Sequence, residues 1–183
     1  MDEFWKGILR QQFGAAIDML ENAMRVCPED IWCDRTKKPE WVPNDIVGFW
    51  YLAYHTLFFL DFYLSESIED FGPPAPFNRD EFGPGGLLPD KPYSKDVLLG
   101  YLDHCRRKCE NAIDSMTGEK ARQPDRIRPA QNLTVAERYL YNMRHVQHHT
   151  GQLNLILRQR TDSAPLWVRF ARSEESSPTP ADR

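Results

Sequence analysis

The chain has 183 residues, 41% of them hydrophobic, which is enough for one compact domain with a core and too little for two full-sized ones. Its formal net charge is −4 with acids and bases interspersed, so it lacks the basic stripe that follows a phosphate backbone, and nucleic acid is not an expected partner. The opening MDEFWKGILRQQF lacks the basic segment, apolar run and cleavage site of a signal peptide, and the four cysteines are expected as reduced thiols in a cytoplasm.

In chain order, residues 3–26 place Phe4, Ile8, Leu9, Phe13, Ala16, Ile17, Leu20 and Met24 at three- and four-residue steps, which predicts an amphipathic helix ending before Pro28. A polar connection follows, framed at its start by Cys27 and Cys33, a candidate redox pair or simply two thiols. PND at 43–45 is a start signal in which Asn44 caps a second helix running to about residue 65. Its stretch DIVGFWYLAYHTLFFLDFYL is apolar on nearly every face, as in a membrane span or a helix enclosed by protein. Asp45 and Asp61 leave too short an uncharged run, His55 sits in its middle, and no Lys/Arg flanks orient a span, so enclosure is expected and a membrane is not. One face would enter a bundle and another would meet a partner chain or a long loop, from which a homodimer is expected.

Residues 72–92 carry six prolines and four glycines and predict a long irregular connection. Ser94 caps a third helix with core positions Leu98, Tyr101, Leu102, Cys105, Cys109, Ala112, Ile113 and Met116, ending near Gly118. After a loop with Pro124 and Pro129, Thr134 and Glu137 match a capping box ahead of a fourth helix reaching about residue 160. The polar C-terminal stretch predicts a single domain over 1–171 and a disordered tail over 172–183. Together these elements predict an all-α four-helix bundle, with the long crossover between the second and third helices implying an up-down-down-up order.

Three of the five histidines fall in RHVQHHTGQ, residues 144–152, inside the fourth helix. At about 100° per residue, His145 and His149 project within about 40° of each other on the flank of the stripe formed by Tyr139, Met143, Val146, Leu153 and Leu157, while His148 points away. Imidazoles one turn apart can share one ion, the geometric basis of the His-x-x-x-His metal spacing. His55 is the only basic residue in the aromatic stretch from Phe49 to Phe59, where an unpaired ring would cost of order 1–3 kcal/mol. A metal held by His55, His145 and His149 satisfies all three and leaves a coordination position open.

These residues resemble a known family. A lone histidine within YHTLFFLDFYL at 54–64, followed by HVQHHTGQL at 145–153, is similar to the DinB-like superfamily, and the resemblance spans essentially residues 3–160. It implies a four-helix bundle binding one divalent ion (zinc, nickel or iron) through His55, His145 and His149. Thr150 stands where many members carry arginine. Some relatives are transferases or isomerases that use a low-molecular-weight thiol, some are annotated hydrolases, and many have no known activity. The resemblance therefore implies a metal-dependent enzyme acting on a small molecule, by thiol-dependent transfer or by hydrolysis, without naming its substrate.

Around such a site, Phe77 and Phe82 are candidates to seal the pocket, Tyr93 to donate a hydrogen bond, and Gln152 to orient a ligand or fasten the helix to its neighbour. The competing constellation is Cys105, Cys109, His145 and His149. As a closed zinc site, it would make the protein a non-catalytic interaction module and leave His55 without a partner.

Overall fold

The computed structural model describes residues 2–34, 48–82 and 91–172. Helix α1 (Glu3–Val26) is capped by Asp2, whose carboxylate accepts from the Trp5 amide, and it stops at Cys27 ahead of Pro28. The predicted stripe is buried from Phe13 to Met24, but Phe4 and Ile8, placed on it by spacing, are exposed. A short helix α2 (Glu29–Trp32) follows, unforeseen in the polar connection. Trp32 is its anchor, fully buried and donating its indole N–H to the Tyr93 carbonyl at 2.9 Å.

Helix α3 (Phe49–Tyr63) begins four residues later than the sequence suggested. Asn44 lies outside the described residues. Gly48 is the N-cap in extended conformation, and a Cβ there would stand 3.0 Å from the Asp34 carbonyl oxygen, so this close approach favours glycine at the helix entrance. Helix α4 (Lys95–Asp114) is capped by Ser94 as expected, and its predicted core positions are buried apart from the half-buried Ala112. Gly118 does not end that helix. It opens a further short helix α5 (Gly118–Arg122), capped by Thr117. Helix α6 (Val135–Thr161) starts with the Thr134–Glu137 capping box, both reciprocal bonds formed, and ends at Asp162 in the left-handed conformation.

The long helices α1, α3, α4 and α6 form the bundle, with α3 and α1 each packed against both α4 and α6. The predicted enclosure of α3 is met from within its own chain. Phe71 and Phe82, from the connection after α3, pack edge-on against Phe58 and Phe62, and Phe77 stacks against Tyr54. The long loop thus covers a face for which a partner chain was the other option. Among the described residues no helix is long and apolar enough to cross a membrane.

Buried ion pairs tie the helices together. Asp61 on α3 receives the Tyr101 hydroxyl at 2.9 Å and the Lys108 ammonium at 2.5 Å, both from α4. Asp18 on α1 pairs with Arg106 at 2.7 Å and also accepts the Arg172 amide at 2.8 Å. That second bond docks the segment after α6 onto α1. At the contact a Cβ on Gly14 would lie 2.5 Å from the Ala171 Cβ, so only glycine admits this approach. Of the segment predicted as a tail, 172–183, Arg172 is described and bonded to Asp18, and residues 173–183 lie outside the described residues.

Candidate metal centre

His55 reaches the site from the middle of α3, and His145 and His149 from successive turns of α6. One potential ligand atom from each lies within 4.8 Å of the others, and no other group of three or more metal-ligating side chains forms among the described residues. The Nε2 atoms of His145 and His149 are 3.1 Å apart. Two ligands at about 2.05 Å on one ion are separated by about 2.9 Å at a right angle and about 3.35 Å at the tetrahedral angle, and the observed spacing lies between the two. The His55 ring centroid is 5.5 Å from that of His145 and 5.0 Å from that of His149.

Protonation favours ligation. Burial, followed by the neighbouring imidazoles, pushes His145 down to about 3 and His149 down to about 4, so both rings are neutral at pH 7. The His149 Nδ1–H donates to Gln152 Oε1 at 2.7 Å, which leaves its Nε2 lone pair facing His145. Two lone pairs at 3.1 Å repel unless a proton or a cation lies between them. His145 Nδ1, on the far side of that ring, is buried without a hydrogen-bond partner, and an ion at Nε2 leaves it so. The residues present therefore fit a divalent ion.

Phe59 packs against His55 and His145 at ring-centroid distances of 4.7 and 5.7 Å, and Tyr63 stands edge-on to His145. These rings form the dry wall of the site. Phe82 lies one ring further out, in contact with Phe59. Phe77 and Tyr93 occupy the other side of α3: Phe77 stacks 4.3 Å from Tyr101, and Tyr93 packs on Trp50, Tyr54 and Phe77. Of the four pocket candidates, the structure brings Gln152 directly onto a site histidine and Phe82 to its outer layer. His148 is exposed, as its helical phase requires.

Sequence reasoning missed Glu81. Its carboxylate, only 3% exposed, accepts from His55 Nδ1 and from the Tyr51 hydroxyl, each at 2.7 Å. It sits on a 3₁₀ turn (Asp80–Phe82) within the Gly/Pro-rich connection, where no helical spacing relates it to α3. The one available signal is the adjacent Phe82, an aromatic residue in a breaker-rich loop.

The Cys2His2 alternative is not formed. Cys105 and Cys109 are buried in the α4 seam, where desolvation pushes both thiols well above their ordinary pKa, and the Cys105 Sγ–H points to the Leu57 carbonyl at 3.6 Å. Among the described residues the four cysteines form no disulfide; Cys27, Cys105 and Cys109 are buried and Cys33 is exposed.

Neither curated proteins nor solved structures give a match to this chain. A family profile described as DinB superfamily matches residues 12–153, a span that contains α3, α4, most of α1, all three clustered histidines and Gln152. With well over half of the chain matched, the protein belongs to the DinB superfamily.

Proposed function

We propose that the protein is a metal-dependent enzyme acting on a small molecule, either transferring a low-molecular-weight thiol to an electrophile or hydrolysing an ester or amide. The observation that carries this reading is the cluster of three imidazoles, brought together from two helices, with no fourth protein ligand grouped with them among the described residues. Structural zinc sites are usually closed by four protein ligands, whereas catalytic ones keep a position for water or substrate. When bound, a divalent ion there supplies Lewis acidity, lowering the pKa of the water or thiol it holds.

The chain's own residues contribute the surroundings. Gln152 orients His149, and the Phe59 and Tyr63 rings exclude water from one side of the cluster. Toward solvent, Tyr141, Arg144, Gln147 and His148 line a depression that ends on His145. A small polar substrate entering there meets His145, with Arg144 on the same rim.

Zinc-, nickel- or iron-loaded protein should be assayed with a low-molecular-weight thiol plus an electrophilic acceptor, and separately with activated esters and amides. We expect turnover in one of the two assays, abolished by His145→Ala and retained in His148→Ala. Turnover in neither, or turnover unaffected by His145→Ala, would reject the catalytic reading.

A homodimer accompanies this proposal. Its support is no longer α3, which is covered, but the exposed large apolar side chains: Phe4 and Trp5 on α1, and Leu166, Trp167 and Phe170 after α6. Light scattering at micromolar concentration is expected to give twice the 21.4 kDa chain mass, and a single monomer-mass species would refute it.

A further inference from the structure

Among the described residues, Glu81 is the one buried carboxylate in contact with the histidine cluster. Both of its donors, Tyr51 and His55, converge on Oε1, while Oε2 is buried with no hydrogen-bond partner. Burial and the adjacent carboxylate push the Tyr51 hydroxyl's pKa far up, so it remains a donor. The loop is held in place on its other side, where Phe82 packs against Phe58, Phe59, Phe62 and Phe71. A loop residue is thus inserted next to a helix residue, at a cost in desolvation that Tyr51 and His55 only partly offset.

We infer that Glu81 is the positioning residue for His55: by accepting the Nδ1–H it fixes the tautomer in which Nε2 carries the lone pair, and it holds the ring turned toward His145 and His149. An imidazole can present only one nitrogen lone pair when neutral, and the acceptor on the other nitrogen decides which. The same carboxylate stands directly behind His55, raising that ligand's basicity and favouring a dication over the empty cluster. Gln152 plays the corresponding part for His149 with a neutral acceptor. The inference rests on the reading of the three histidines as a metal site only for its effect on affinity. The effect on His55 itself exists in the metal-free protein.

The test therefore has two arms. In the first, zinc affinity is measured by chelator competition for the wild type, Glu81→Ala and Glu81→Gln. A 10–100-fold loss is expected in Glu81→Ala, with most of it restored in Glu81→Gln, which keeps a neutral acceptor at the same place. In the second, nitrogen chemical shifts of the histidine rings are read in metal-free protein. His55 is expected as the Nδ1–H tautomer in the wild type and Glu81→Gln, and as a mixture in Glu81→Ala. Wild-type-like zinc affinity in Glu81→Ala would overturn the role, as would a His55 tautomer indifferent to both substitutions. If wild-type protein binds no zinc, the metal reading fails, yet the tautomer arm still decides whether Glu81 sets His55. Thermal unfolding of both variants, with Glu81→Gln expected to melt like the wild type, separates ring positioning from loop collapse.

Discussion

Replacing His55, His145 or His149 by alanine is expected to lower the affinity for a divalent ion by orders of magnitude, while His148→Ala leaves it unchanged. Each of the first three supplies one of the clustered ligand atoms, and none has a substitute among the described residues. Loss of one ligand from three leaves a two-histidine chelate, whose remaining coordination positions must be filled by water. The His148 control is demanding because its ring centroid is only 5.0 Å from that of His149, close enough to matter if proximity alone sufficed. Its exposure and helical phase place it outside the cluster. Metal content after dialysis and competition with a chromophoric chelator check the result. Full retention in His55→Ala would confine the site to α6 and remove the need for α3.

The largest loss of stability is expected from Arg138→Met. Arg138 is 3% exposed, its Nε stands 2.8 Å from Asp125 Oδ1, and Nη1 donates to the carbonyls of Tyr63 and Ser65. Asp125 in turn accepts from the amides of Ile127 and Arg128, each at 2.9 Å. One guanidinium thus joins the end of α3 and the loop before α6. Removing it leaves a buried carboxylate without its counter-ion and two carbonyls without donors, which costs about 3–5 kcal/mol. At about 2–4 °C per kcal/mol for a chain of this size, the melting temperature should fall by roughly 10 °C. Asp125→Asn combined with Arg138→Met should cost less than the sum of the two changes, because the buried charge is then gone as well. A change of only a degree or two in calorimetry would show the pair to be solvated.

The parts of the fold legible in the sequence are those written in local patterns. The capping box of α6, the Ser94 cap of α4 and the Cys27–Pro28 stop of α1 were each specified by a few neighbouring residues, and the structure forms them. His145 and His149 were legible for the same reason, since a four-residue step fixes their common direction. His55 was legible by contrast, as one basic ring in an aromatic run. Glu81 was not, because its position depends on how Phe82 seats an irregular loop, a long-range packing event with no period. Helix α2 was missed because four residues carry no periodicity, and its existence rests on Trp32 reaching Tyr93. Phe77 and Tyr93 share the loop's composition with Phe82, yet their side of α3 was set by packing against Tyr101 and Trp50, which their spacing does not encode.

X-ray absorption at the zinc edge of stoichiometrically loaded wild-type protein tests the central claim most directly. The cluster predicts three imidazole nitrogens at about 2.0–2.1 Å together with oxygen ligands that exchange, and no sulfur, in a spectrum that changes when a small thiol is added. Two sulfur scatterers at about 2.3 Å in the protein without added thiol would contradict it, since they would require Cys105 and Cys109 to leave the α4 seam and close the site.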